Sequence, residues 1–406
     1  MKLRLFYLLI MMGFQSRAQT PLEAFLAGSV KDAELTELNR QEEYFQNNSF
    51  NSPWLREIEI RARSNDTEIG LEDYRLRFGL INPKEIRANK THQKILRDQF
   101  ALDRENKVND ILLQRYLILI EHYSLTSSLL LIDSAIQFNN RLRSTIEELD
   151  PTKQKETWLS LEEEELKLSL RKEAILGKID VIKFILVHRH QFNDNLEWND
   201  YNFADIEEIE RTLSLGMNST SIIERAIDQD LITATSLYEI KEAESRSNIG
   251  YLQAEYDIER GSEVSDHLGF QFGFSLPIFN ADKPDLQRDK LDLIEKEVEA
   301  EEDKKEVVEN RKMDELQLRR SLNQLLLVRD KQQEFSNLND PSLLDDFDFG
   351  YYRKSVEYNN YLNEKELELF SYLLEQYIVL LHNRGSLVAR PSINYLSKEL
   401  RTFEME

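Results

Sequence analysis

Few residues of this chain have the types and spacing for covalent or metal chemistry. His188 and His190, within Val187-His188-Arg189-His190-Gln191, are two imidazoles that could ligate a metal, but no third ligand accompanies them. They are read as surface-loop histidines. Four consecutive glutamates at 162–165 offer concentrated negative charge. Consecutive helical residues point around the axis rather than toward one cation, so this run reads as a solvated helix face. The chain has no cysteine, which excludes disulfides, thiol catalysis and thiolate metal sites. No Ser/His/Asp set, glycine-rich phosphate loop or paired-carboxylate site stands out. The expectation is a protein that is not an enzyme, with no catalytic residue, no cofactor and no metal.

The informative chemistry is that of surfaces. In residues 268–280, Leu268, Phe270, Phe272, Phe274 and Leu276 alternate with Gly269, Gln271, Gly273 and Ser275. That is the period of a β-strand with one greasy face and one small, polar face. A weaker copy lies upstream, where Tyr74, Leu76, Phe78 and Leu80 alternate with Arg75, Arg77 and Gly79. Each has a hairpin partner before it. Ile58, Ile60 and Ala62 alternate with Glu57, Glu59 and Arg61; Leu252, Ala254, Tyr256 and Ile258 alternate with Gln253, Glu255 and Asp257. Turn residues follow each partner, Ser64-Asn65-Asp66 and Arg260-Gly261-Ser262. The predicted strands cover about 55–63, 73–81, 249–259 and 267–278. A soluble sandwich strand has the same alternation, but long charged helical segments on either side offer no second sheet to pack on. The pattern therefore points to a membrane barrel wall.

Those strands must be positioned by helices. Both strand pairs are followed by a proline-containing break (Asn82-Pro83; Pro277 and Lys283-Pro284) and then a long helix, an internal repeat. Residues 21–46 read as one helix. A helical hairpin is expected over about 84–187, with Leu113, Tyr116, Ile120, Tyr123, Ser127 and Leu130 as a coiled-coil seam. Asp150-Pro151-Thr152 would turn it, with Thr152 as N-cap. Residues 188–202 read as an irregular link. Gly216 and Ser219 would cap the two helices preceding the second strand pair. Helices are expected at about 284–334 and 357–384, with a loop at 337–349 between them. Leu367, Phe370, Leu374, Tyr377 and Leu381 form the seam of the last.

Charge and the N-terminus narrow the class. A net charge of −23 repels phosphate, so no nucleic acid partner is expected. Lys2 and Arg4 precede an apolar run from Leu5 to Met12, and Ser16-Arg17-Ala18 offers small residues for cleavage. Residues 1–18 are read as a secretory signal peptide. No later segment reaches about 18 uninterrupted apolar residues, the length of a transmembrane helix. The chain then divides into a first repeat at 19–200 and a second at 201–406.

At this point Leu276-Pro277-Ile278-Phe279-Asn280, after an alternating strand and before a long helix, resembles the LPLF(D/N) signature of the TolC-like outer-membrane efflux protein family. Ser52-Pro53-Trp54-Leu55 resembles that family's entry to the first strand pair, and residues 218–243 its helix into the second. Gly350-Tyr351-Tyr352 and Asn360-Tyr361-Leu362-Asn363 resemble its stretch near the periplasmic tip. The resemblance implies a mainly α fold with a small β part, a tandem helix–β-hairpin–helical-hairpin repeat. In it a long coiled-coil α-barrel carries four strands per protomer of a trimeric transmembrane β-barrel.

The implied function is a passive outer-membrane exit duct of a tripartite efflux or type I secretion system, exporting small molecules or proteins. Implied partners are two further copies, a periplasmic adaptor, an inner-membrane pump and outer-membrane lipid. Ile58, Ile60, Tyr74, Leu76, Phe78, Leu252, Tyr256, Phe270, Phe272 and Phe274 would face lipid. Glu57, Glu59, Arg61, Arg75, Arg77, Gln253, Glu255, Gln271 and Ser275 would line the lumen. Tyr351, Asn360 and Asn363 would mark a periplasmic aperture. Asn360 and Asn363 share a helix face; ordinary polar coiled-coil positions are the other reading. The sequence departs from the family pattern with asparagine where members commonly carry acidic gate residues, with Lys354 for the motif glycine, and with Ala281-Asp282-Lys283-Pro284 after the strand motif. The alternative function is an envelope coiled-coil scaffold whose hairpins pair only within an oligomer and enclose no pore.

Overall fold

The computed structural model describes residues 20–48, 53–64, 72–149, 155–192, 201, 203–215, 221–245, 249–256, 268–274, 283–338, 349–398 and 400–404. The signal peptide, the Thr152, Gly216 and Ser219 caps, Ser275 and the 276–280 motif lie outside them. In order the elements are α1 (Pro21–Ala27), α2 (Thr36–Asn47), β1 (Leu55–Ser64), β2 (Glu72–Leu80), α3 (Pro83–Leu149) and α4 (Lys155–His188). There follow α5 (Ile206–Leu215), α6 (Ile222–Ser245), β3 (Ile249–Tyr256), β4 (Leu268–Phe274), α7 (Lys283–Leu338) and α8 (Phe349–Asn383), with β5 (Ser392–Ile393) and β6 (Thr402–Phe403) at the end. The fold is mainly helical, with one four-stranded antiparallel sheet in the order β1-β2-β3-β4. Among the described residues, no helix is long and apolar enough to cross a membrane.

Two compact units form, one from residues 1–36, 105–221 and 309–406, the other from 37–104 and 222–308. In the second unit the sheet is joined to helices by polar contacts. Pro83 opens α3 at a position where its missing N–H costs nothing, and Asn82 Oδ1 caps the helix by accepting from Lys84 N at 3.0 Å. In the first turn of α3, buried Glu85 accepts from Arg56 of β1 at 3.1 Å. His92 meets Ser236 at 2.7 Å, Gln99 donates to Asp230 at 2.9 Å, and Gln229 donates to Ile95 O at 3.0 Å, tying α3 to α6.

The other unit holds the apolar core. Ile111, Leu112, Tyr116, Leu119 and Ile120 of α3 are buried, as are Leu373, Leu374, Tyr377, Ile378 and Leu381 of α8. Further along, Ile132 of α3 packs with Leu168, Ile175 and Ile179 of α4, and Leu142 packs with Leu161. Later α3 residues meet earlier α4 residues, so the pair is an antiparallel hairpin. Each such fully buried leucine or isoleucine contributes about 1.5–3 kcal/mol. The buried stripe of α4 is Leu161, Leu168, Ile175, Ile179, Ile182 and Leu186, spaced by sevens, threes and fours.

Three expectations are corrected. The helix expected at 21–46 is broken, because α1 ends at Ala27 and two 3₁₀ turns (Gly28–Lys31, Ala33–Leu35) intervene. Asp32 lies between them and caps the second by accepting from Glu34 N at 3.3 Å. On α3, Leu130 is 50% exposed rather than part of a seam. The buried face instead widens around Ile111, Leu112, Arg115, Tyr116 and Leu119, because several elements cover that stretch. The last helix starts at Phe349, not near 357, since its first turns find lateral partners. Tyr352 packs on Phe138 with ring centroids 5.8 Å apart, and Arg353 donates to Ser160 Oγ at 3.0 Å.

Candidate functional site

The strand register turns the sequence alternation into two chemical faces. Directly opposed residues on neighbouring strands share a face. One face carries the rows Ile58, Phe78, Leu252 and Phe272; Ile60, Leu76, Ala254 and Phe270; and Ala62, Tyr74 and Tyr256. The other face carries Glu57, Gly79, Tyr251 and Gly273; Glu59, Arg77, Gln253 and Gln271; and Arg61, Arg75, Glu255 and Gly269. The apolar face is open: Phe270 is 81% exposed, Ile60 74% and Ile58 58%. In water each such side chain forfeits its burial energy, so this face needs an apolar covering.

The polar face is laced by charge pairs. Arg75 is paired with Glu255, Arg77 lies 3.8 Å from Glu59, and Arg61 reaches Glu59 at 2.6 Å. Like-charged Arg61 and Arg75 sit directly opposite each other, and these carboxylates offset their repulsion. Tyr251 belongs to this face and was missed in the sequence, where an aromatic at the odd position of an alternating strand was its signal. Arg77 stacks on the Tyr251 ring, its guanidinium carbon 3.7 Å from the centroid. Among the described residues no further strand is paired to the outer edge of β1 or of β4.

The aperture candidates separate. Asn363 Oδ1 on α8 accepts from Gln332 Nε2 of α7 at 3.1 Å. Gln332 also donates to Glu366 at 3.0 Å, and Arg329 donates to Glu366 at 2.8 Å. Asn363, Glu366 and Arg329 border a cavity of about 350 Å³ lined also by Tyr123, Leu130 and Phe370. Asn360 and Tyr351 are on the same helix, Tyr351 being 47% exposed, but neither is among the described residues lining that cavity.

The two histidines also part company. His188 is exposed, its ring centroid 4.2 Å from that of Phe184. The His190 side chain is 2% exposed, correcting its surface-loop reading: its Nδ1 lies 3.1 Å from Asp32 Oδ2, and its ring packs edge-on to Phe25. Asp32 Oδ2 also accepts from Arg115 Nη2 at 2.8 Å, both side chains being 2% exposed. Burial alone pushes the Asp32 carboxyl up, but hydrogen bonds from Arg115 and His190 outweigh it and hold the group below its ordinary pKa. Burial keeps His190 below its ordinary value despite the pull of Asp32. At neutral pH the cluster is an ionised Asp32–Arg115 pair with a neutral imidazole beside it. It clamps the segment after α1 and the end of α4 onto α3. Among the described residues, no three side chains of metal-ligand type are gathered.

No protein-family model matches the sequence, and a search of curated proteins finds no match. Solved structures do match. The outer-membrane channel OprN is 12% identical with a TM-score of 0.58, covering 90% of this chain and 90% of that one. The outer membrane protein VceC from Vibrio cholerae is 12% identical with a TM-score of 0.54, covering 90% of this chain and 96% of that one. The open state of the Neisseria gonorrhoeae MtrE outer membrane channel is 10% identical with a TM-score of 0.53, covering 91% of this chain and 88% of that one. Helix order, sheet and likeness agree, and the chain has a TolC-like fold.

Proposed function

We propose that this chain is the outer-membrane exit duct of a trans-envelope export system. The observation that carries the proposal is the register of the four strands, which gathers aliphatic and aromatic residues on one face and puts charged, amide and glycine residues, with Tyr251 among them, on the other. A lipid-facing wall around a wet lumen requires that division. Among the described residues β1 and β4 are the outermost strands; such edges cannot be left open in lipid, and three copies would close them into one twelve-stranded barrel. The likeness to outer-membrane channels over about nine-tenths of the chain supports the same reading.

In this assembly Ile58, Ile60, Tyr74, Phe270 and Phe272 contact lipid, and Glu59, Arg61, Arg75, Arg77, Glu255 and Gln271 line the passage. The helices extend into the periplasm, where an adaptor connects them to an inner-membrane pump that supplies the energy. The duct itself is passive and performs no covalent chemistry. Residues 1–18 direct export. The two repeats, 19–200 and 201–406, each supply one hairpin of the wall. Asn363, held by Gln332, is taken as an aperture residue together with Asn360 and, further toward the start of α8, Tyr351.

The deciding experiment is the native mass of the protein extracted from washed outer membranes in mild detergent. A trimer is expected. A monomer or dimer in the soluble periplasmic fraction would overturn the duct and favour the envelope scaffold. With a trimer in hand, Asn363→Ala should alter channel opening in planar bilayers. Unaltered conductance in both Asn363→Ala and Asn360→Ala would remove these residues from the aperture.

A further inference from the structure

The polar face of the sheet lies flatter than its residue types require. Strand side chains stand roughly perpendicular to their sheet. Tyr251 does not, and the register shows why: its directly opposed neighbours are Gly79 on β2 and Gly273 on β4. A Cβ placed on Gly273 would lie 2.6 Å from two ring carbons of Tyr251 and 3.1 Å from its hydroxyl oxygen. The ring therefore lies down across β4, in the space a side chain at 273 would take. Arg77 stacks on the ring at 3.7 Å. Gly79 plays the same part for Glu57, since a Cβ there would lie 2.9 Å from Glu57 Cγ. Two glycines on one face thus each receive a large side chain from the adjacent strand.

We propose that Gly273 and Gly79 are bore-setting residues, which keep Tyr251 and Glu57 folded against the wall and thereby fix the size of cargo that the barrel admits. The inference rests on the duct reading, in which this face is the lumen. Any side chain at 273 would displace the Tyr251 ring, whose remaining direction is up from the sheet and into the passage. Symmetric copies would repeat the obstruction around the barrel. Specificity for cargo size would then reside in positions that carry no side chain.

The test is single-channel recording of the purified full chain in planar bilayers, with polyethylene glycols of graded size added on the barrel side. Gly273→Ala should lower conductance and shift polymer exclusion to smaller sizes. The double variant Gly273→Ala/Tyr251→Ala should recover the wild-type cut-off. An assembled Gly273→Ala channel with unchanged conductance and cut-off would overturn the proposal. Should Gly273→Ala fail to assemble, Tyr251→Ala alone decides. A ring already flat leaves the cut-off unchanged when removed, whereas a larger cut-off shows that it stood in the lumen and overturns the proposal. A wild-type protein that conducts nothing would sink the duct reading itself, and this inference with it.

Discussion

Two arginine–carboxylate pairs in this molecule use the same groups in opposite surroundings. On the sheet, Arg75 and Glu255 are 39% and 25% exposed, and the sheet can lose such a pair to water with little consequence. In the helical unit Arg115 and Asp32 are each 2% exposed, and Asp32 also holds His190. Removing one partner there leaves a charge buried without compensation. The sheet pairs keep a surface wet and neutral. The buried cluster ties sequence-distant segments together.

The largest effect that could break this contrast is at Asp32. Asp32→Ala should cost about 3–5 kcal/mol in denaturant unfolding of the detergent-solubilised protein. A loss no greater than that of Glu255→Ala would show that burial is not what separates the two pairs. Next comes the sheet's other face. Phe272→Arg should cost about 2–4 kcal/mol at mid-bilayer and deplete the assembled form from outer-membrane fractions, with Gln271→Arg tolerated. Equal tolerance of both would sink the division into lipid and lumen faces.

A smaller effect is expected with pH. His190 is held below its ordinary pKa, so the stability of its neutral form is present above the unfolded value near 6.5 and is lost as pH falls toward the folded value. The groups facing it are Asp32, Arg115 and Arg189, with the Phe25 ring. Asp32, also depressed, adds its loss only in the acid range below its unfolded value near 4. Melting temperature should therefore drop between pH 7 and 5, and His190→Gln should flatten that drop. An identical slope in the variant would acquit the histidine. The smallest effect belongs to Glu59→Gln, expected to cost about 0–1 kcal/mol and only at low salt. A salt-independent loss of several times that size would mean the sheet pairs are more than surface charges.

What the sequence made legible follows from range. The alternation in β1–β4 has a period of two residues, so a short window shows which side chains share a face, and the observed register joins those faces across all four strands. Long helices declare themselves by scarce glycine and proline. The break at residues 28–35 is hard to read because it is held by Asp32, whose partners Arg115 and His190 lie far along the chain. One signal was available: Arg115 occupies a position in the stripe of Ile111, Leu112, Tyr116 and Leu119, where a charge needs a counter-charge. His190 reads as a surface residue for the same reason, since a loop histidine next to Arg189 gives no local hint of burial. Asn363 was picked out by resemblance, but its link to Gln332 depends on how α7 meets α8, which neither helix encodes alone.

That the outer edges of β1 and β4 have no further strand among the described residues also bears on inheritance. Under the proposed assembly each copy completes its neighbours, so a faulty copy is not simply absent but occupies a place in a ring built with sound ones. A cell carrying one good and one defective allele would make mostly mixed rings, and only a small minority would be wholly sound. Defects in the strands should therefore behave as dominant. Defects that prevent the helical unit from folding at all keep the product out of the ring and should behave as recessive.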